Sequence, residues 1–213
     1  MNINKIDINE QTPPRYEYRT FGHNFSETQR LMEELTQPVP DDLKVRVFNE
    51  IYIVSKKADN INVKIRNDLL DVKKQINIQN KLERWDAVKK YEFPISKDLL
   101  VNDIFPQLKA DIPLLKTDEL DLKGFISIAK RHKDIMPISV HKKRFAYLVN
   151  FTICEFADII IGNDYLYTVS VESTDPNEVI TTVDQLGLKE FENINYIQAI
   201  KRLNGLVKKP LVN

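Results

Sequence analysis

Scarcity sets the first bounds on this chain. It has one cysteine, Cys154, which excludes an intramolecular disulfide framework and any all-cysteine metal site and fits a reducing compartment. Five glycines leave no glycine-rich phosphate loop, and neither G-x-x-x-x-G-K-S/T nor G-x-G-x-x-G occurs. Neither sign of charge is in excess, with 31 Lys and Arg against 31 Asp and Glu. That balance argues against nucleic acid as a partner, because no whole-molecule field would draw it in. No run of 18 apolar residues occurs, and the opening M-N-I-N-K-I-D-I-N-E has no apolar core. The expectation is a soluble cytoplasmic protein with no membrane partner. His23, His132 and His141 are too dispersed to read as a metal cluster, and no Ser–His–Asp arrangement suggests itself.

What the chain does have is alternation. In Asn62–Lys74, N-V-K-I-R-N-D-L-L-D-V-K-K, Val63 and Ile65 lie on one face of a strand and Lys64 and Arg66 on the other. Asn67-Asp68 reads as a hairpin turn, and an even-length loop returns Asp71 and Lys73 to the cationic face. Arg15–Phe21 sets Arg15, Glu17 and Arg19 against Tyr16 and Tyr18. Lys44–Val54 sets Arg46, Phe48, Glu50 and Tyr52 against Val45, Val47, Ile51 and Ile53. Glu83–Phe93 reads as one or two strands holding Arg84 and Trp85, the tryptophan more simply core packing than a platform for a base. Further on, Lys142 and Arg144 share a face, Glu155 sits in an apolar run, and Ser170 and Glu172 oppose Tyr167, Val169 and Val171.

Helical spacing fills the gaps. Ser26 with Gln29 makes a capping box for a helix over 26–36. Ser96 and Thr117 head helices over 97–109 and 118–131, which together form a helical insertion at about 94–135 between two groups of strands. Asp175-Pro176 starts a helix over 176–187, and a last helix covers 196–204. No linker or repeat divides the chain, so a single domain over 1–213 is expected. With 213 residues, 42% of them hydrophobic, it can bury a sizeable core. Periodicity leaves two architectures open. A sandwich would turn the charged faces to water, whereas a barrel with its apolar face outside, covered by helices, would turn them into one channel.

The order R-Y-E-Y-R-T-F, N-V-K-I-R…L-D-V-K-K, H-K-K-R-F-A-Y, I-C-E-F-A-D-I-I-I-G-N and S-V-E-S-T-D-P-N-E-V resembles the CYTH domain of the triphosphate tunnel metalloenzyme superfamily. The similarity runs from about Arg15 to Leu203. It implies an α+β fold: an antiparallel eight-stranded β-tunnel with covering helices, lined by basic residues and carboxylates. It also implies a single CYTH-like domain and a triphosphate-containing small molecule as partner. By the same resemblance Arg19, Lys64, Arg66, Lys73, Arg84 and Arg144 fall at phosphate-binding positions. Glu17, Glu155 and Glu172 fall at or near acidic positions that would hold one Mg²⁺ or Mn²⁺.

Two departures bear on that reading. The family's opening E-x-E-x-K is here Arg15, Glu17, Arg19, and its late E-x-E is Ser170, Glu172. One carboxylate of each pair is gone, and the competing reading of Glu17 is an ion pair with Arg15 or Arg19. The resemblance implies a divalent-metal-dependent phosphohydrolase acting on an inorganic or organic triphosphate. The halved glutamate pairs raise the alternative: a catalytically degenerate tunnel that binds a polyphosphate or nucleotide as a sensor or interaction module. The oligomeric state is left open.

Overall fold

Alternating strands whose charged faces all turn the same way can close on themselves, and here they do. A computed structural model describes residues 13–211, apart from the side chains of residues 87 and 88. Its strands are β1 (Arg15–Gly22), β2 (Val45–Ser55), β3 (Ile61–Arg66), β4 (Leu69–Gln79), β5 (Leu82–Glu92), β6 (Ile95–Ser96), β7 (Glu119–Leu120), β8 (Ile135–Val149), β9 (Thr152–Ile161) and β10 (Asp164–Ser173). Eight of these form a closed barrel in the order β1-β10-β9-β8-β2-β3-β4-β5, antiparallel throughout, and β6 pairs with β7 outside it. The α+β tunnel implied by the resemblance to CYTH domains is therefore the fold of the chain.

The central hairpin forms as its sequence dictates. Asn67 and Asp68 both take left-handed backbone, with φ of 51° and 58°, as a two-residue turn matched to strand twist requires. Lys64 pairs with Asp71 and Asn62 with Lys73, so all four side chains share the inner face. Val63, Ile65, Leu70 and Val72 face outward and are buried by the segment between β5 and β8. That segment contains α3 (Lys97–Leu99), a π turn (Leu100–Ile104), α4 (Phe105–Gln107) and α5 (Leu122–Arg131). Leu100, Ile104, Phe105, Phe125 and Ala129 provide its buried side.

Two expected helix starts are corrected. Ser26 is the first residue of α1 (Ser26–Leu35) rather than its cap, and its N–H is taken by Asn24 Oδ1 at 3.1 Å, so no capping box forms. Thr117 does not head the later helix, because Glu119–Leu120 pairs as a strand with Ile95–Ser96. The cap of α5 is Asp121, whose carboxylate accepts from Gly124 N at 2.7 Å. A Cβ on residue 124 would come within 2.9 Å of that oxygen, which accounts for the glycine. Ser96 does cap α3, accepting from Leu99 N.

The opposite side of the barrel is covered by α1 and by α6 (Pro176–Gln185), which bury Met32, Val179 and Val183 against Tyr16, Tyr18, Cys154, Val169 and Val171. Between α1 and β2 the short α2 (Asp41–Lys44) leads into the sheet. One end of the barrel is plugged. There the inward residues of β2, β8 and β9 become Val54, Val140 and Ile159, and they cluster with Ile197 and Ile200 of α7 (Tyr196–Leu203).

Candidate functional site

Inside the barrel is a cavity of about 470 Å³. Its floor is aromatic: Tyr196, brought in at the start of α7, stacks on Tyr52 with ring centroids 5.3 Å apart and meets Phe21 edge-on. Asn195 fixes that entry by capping α7 and by donating to both oxygens of Glu83 at 2.9 and 3.1 Å. Eight cations and three carboxylates line the cavity, in a chain whose overall charge is zero. The cations still outnumber the acids when Glu50 and Asp71, paired to Lys64 and Arg66, are counted.

Of the six cations expected to bind phosphate, Arg19, Lys64, Arg66, Lys73 and Arg144 line this cavity. Arg84 does not and is corrected. It pairs across the sheet with Tyr16, shares that residue's outer face, and lies over the Tyr16 ring at 5.3 Å. The lumen at this level belongs instead to Trp85, whose indole N–H donates to Glu83 Oε2 at 3.0 Å. An apolar tryptophan on the charged face inverts the parity that apolar-outward alternation would assign. The three expected metal ligands, Glu17, Glu155 and Glu172, all line the cavity as well. Site residues missing from the expected set are Arg15, Arg46, Lys142, Glu50 and Tyr196. The first four share inner faces with expected residues, so strand parity alone could have found them. Tyr196 enters from a helix, and no strand pattern signals it.

The carboxylates surround a guanidinium. Arg19, only 5% exposed, lies 2.6 Å from Glu17 Oε1, 3.1 Å from Glu155 Oε1 and 3.9 Å from Glu172 Oε1. It also donates to Ser170 Oγ at 3.0 Å and Thr168 Oγ1 at 3.3 Å, and its charge stands 4.8 Å above the Tyr196 ring. Ser170, where the family motif has a glutamate, thus serves the arginine. Burial would lower the Arg19 pKa, but Glu17 and Glu155 more than offset it and hold it well above its usual value. Burial would likewise raise the Glu155 carboxyl, yet Lys142, Arg19 and Arg144 hold it well below the carboxylate range. Glu172 is the loosest member. Burial and then the charge of Glu17 push its pKa up, and its nearest cation contacts are 3.8 and 3.9 Å.

This donor set does not fit a divalent ion. Hard cations want several free carboxylate or carbonyl oxygens, and here a side-chain cation already occupies the space between the three acids. Among the described residues no group of three or more His, Cys, Asp or Glu is arranged to hold a metal.

The second half of the cavity is a cluster of cations. Arg46, Arg66, Arg144, Lys64 and Lys142 act on one another at close range. Burial first, then Arg144 and Arg66, lower the pKa of Arg46. Four cavity-lining residues bury a polar atom that finds no hydrogen-bond partner among the described residues: Arg46 Nε, Arg144 Nε, Tyr196 Oη and Asn62 Oδ1. Arg144 Nε lies 2.7 Å from Glu155 Oε2, but off the N–H axis, so the contact is an ion pair that leaves the donor unused. Native proteins satisfy nearly all buried polar atoms; of the five such orphans among the described residues these four line the cavity, and the fifth, Arg84 Nε, lies outside it.

Lys64 carries the most accessible titration. Burial, with repulsion from Lys142 and Arg66, outweighs Glu50 at 2.7 Å and lowers the ammonium from 10.5 to about 7. The folded pKa is below the unfolded one, so between these values the unfolded chain binds more protons. The destabilising effect is therefore complete below about pH 7 and fades as pH rises toward 10.5. The expected result is that wild-type unfolding free energy gains a positive slope over pH 7–10, up to about 1.4 kcal/mol per unit, that Lys64→Met lacks. Denaturant titrations across this range measure both slopes; equal slopes would reject the shift.

Closed strands, a plugged end and a cation-rich lumen define the class: a closed antiparallel β-tunnel with a charged interior. No family model matches the chain, and no curated protein matches it. Solved structures do. A candidate adenylate cyclase from Bacillus halodurans is 10% identical over 85% of this chain and 94% of its own, with a TM-score of 0.49. A Hippeastrum protein described as having a dominant triphosphatase activity is 13% identical over 88% of this chain and 95% of its own, at 0.47. A conserved hypothetical protein from Pyrococcus furiosus is 16% identical over 86% and 98%, at 0.46. None of these likenesses fixes the chemistry of this chain, which rests on its own side chains.

Proposed function

We propose that this tunnel binds a triphosphate-bearing anion without a divalent metal and without turning it over, as a sensor or interaction module. The observation that carries the reading is the pair of buried donors with no hydrogen-bond acceptor among the described residues, Arg46 Nε and Tyr196 Oη, beside Arg144, whose Nε is held only by an off-axis ion pair to Glu155, in a lumen where cations outnumber acids. Arginine forks match phosphate oxygens in pairs, and Arg46, Arg66 and Arg144 supply three of them beside Lys64, Lys73 and Lys142. Phosphoryl transfer asks for more than ground-state binding. It needs charge stabilisation in the transition state, and triphosphate hydrolases of this kind take that from Mg²⁺ or Mn²⁺. In this chain Arg19 sits among the carboxylates that would hold the ion, which supports binding over hydrolysis.

Thermal unfolding tests the reading. In EDTA, tripolyphosphate is expected to raise the midpoint several degrees more than orthophosphate at equal phosphorus, because one linear anion relieves several mutually repelling cations at once. Equal shifts would remove the tunnel as the binding site. The second arm measures phosphate release from tripolyphosphate with Mg²⁺ and Mn²⁺. No release above blank is expected, and release lost on EDTA treatment would return the tunnel to the metal-dependent phosphohydrolase reading. Glu172 leaves that alternative its opening, since its two cation contacts are the longest in the cage.

A further inference from the structure

We propose that Lys64 captures an aldehyde carrying a phosphate group, as an imine on Nζ inside the tunnel. The anchoring of the phosphate rests on the anion-binding reading above; the covalent step does not. Lys64 lines the cavity, although the residue is only 8% exposed. Its Nζ donates to Glu50 Oε1 at 2.7 Å, and Arg66 draws on the same oxygen from 3.6 Å. Asp71, opposite Lys64 on β4, gives no relief, because Arg66 holds it at 2.8 Å. The other acids of the cavity are shared elsewhere: Glu155 with Arg19, Arg144 and Lys142, Glu17 and Glu172 with Arg19. A desolvated lysine beside other cations is the setting in which a side-chain amine attacks carbonyls. Burial, with Lys142 and Arg66, lowers this ammonium to about 7 despite Glu50. Near neutral pH about half of it is free amine, against roughly one part in three thousand for an ordinary lysine. Lys201 is the contrast. It is as deeply buried but lies outside this cavity, and its Nζ donates to Ala58 O at 2.9 Å and Asp59 Oδ1 at 2.5 Å.

The step balances without a further reactant. The Nζ lone pair attacks the carbonyl carbon, a C–N bond forms, and the carbonyl oxygen leaves as water with both hydrogens of the amine. One proton from solvent then makes the imine an iminium, whose charge lies where the ammonium stood, against Glu50. Burial would raise the Glu50 carboxyl, but Lys64 and Lys142 hold it well below the carboxylate range, so it is anionic when the iminium forms. Carbon dioxide on the same amine would instead set a carbamate anion against Glu50, which this geometry opposes. The phosphate falls to the arginines. Arg46, Arg66 and Arg144 line the same cavity, and Arg46 Nε is buried with no acceptor among the described residues. An uncharged aldehyde would leave their mutual repulsion unrelieved.

Pyridoxal 5′-phosphate is the probe and unphosphorylated pyridoxal its control, each mixed with the full chain at pH 7, reduced with borohydride and located by peptide mapping. The reduced adduct is expected to form on Lys64 about tenfold or more faster than on exposed lysines such as Lys56 and Lys97. It should form about tenfold or more faster with the phosphate than without it, and excess tripolyphosphate should suppress it. Lys64→Arg, which keeps the charge but forms no imine, should lose the cavity adduct while Lys56 and Lys97 label as before. The wild-type map decides even where that variant fails to fold. Labelling of Lys64 no faster than the exposed lysines overturns the inference and leaves the anion-binding reading standing. Equal rates with pyridoxal and its phosphate overturn the assigned ligand class. Selective, phosphate-dependent labelling that tripolyphosphate does not slow supports the capture by Lys64 and counts against triphosphate binding in the tunnel.

Discussion

Arg19→Ala should lower the unfolding free energy by about 3–5 kcal/mol, the largest single effect expected in this molecule. Removing one partner of a buried ion pair leaves the other charge in low dielectric without compensation. Here three carboxylates lose the same guanidinium at once: Glu17, Glu155 and Glu172. Glu155 keeps Lys142 at 3.6 Å and Arg144 at 2.7 Å, whereas Glu17 has no other cation contact among the described residues. Urea denaturation measures the loss. The variant also has a signature that simple destabilisation lacks. With the guanidinium gone, the cage presents free oxygens, so Mg²⁺ or Mn²⁺ should restore part of the lost stability in Arg19→Ala and change little in wild type. If the variant is as stable as wild type, or if divalent ions raise wild type equally, Arg19 is not the cage's resident cation.

Arg46→Ala should have the opposite profile. Its Nε is buried without an acceptor, it forms no ion pair among the described residues, and its charge is opposed by Arg144 and Arg66. Stacking on Phe48 at 5.6 Å and the pull of Glu155 and Asp42 hold this cation in place, and burial with Arg144 and Arg66 outweighs them. Removing it should leave the melting temperature unchanged or raise it slightly. Tripolyphosphate affinity should nevertheless fall about 10- to 100-fold, as expected for one charge-assisted contact of roughly 1.5–3 kcal/mol. Calorimetry and thermal unfolding on the same protein separate the two quantities. A variant that loses stability but keeps its affinity would show that Arg46 is structural.

These two arginines also show where reading the chain alone succeeds and stops. Both lie on faces that alternation identifies, and the pairing of Glu17 with Arg19 was one of the two readings open for that carboxylate. The contact that gathers Glu155 and Glu172 onto the same guanidinium joins β1, β9 and β10, and no local pattern reports it. Arg84 fails for a related reason. Side-chain parity on β5 is set by its register with β1 and by irregular pairing between β4 and β5, where the ladder shifts between Val72 and Lys73 and again between Gln75 and Asn77. Thr117 fails because the backbone of Glu119–Leu120 has a strand partner in β6, which overrides a cap that propensity alone would favour.

The chain by itself determined which residues share a face, where the Asn67-Asp68 turn falls, and that one face of nearly every strand is charged, because a period of two needs only neighbouring residues. Whether those faces turn outward or inward was decided by closure of β1 onto β5 and by α7 filling one end, both long-range pairings that bury the apolar faces under helices. Closure puts like charges within reach of one another in low dielectric. It also puts Arg19 among Glu17, Glu155 and Glu172, and that side-chain position, more than composition or motif, sets the charge that the lumen presents.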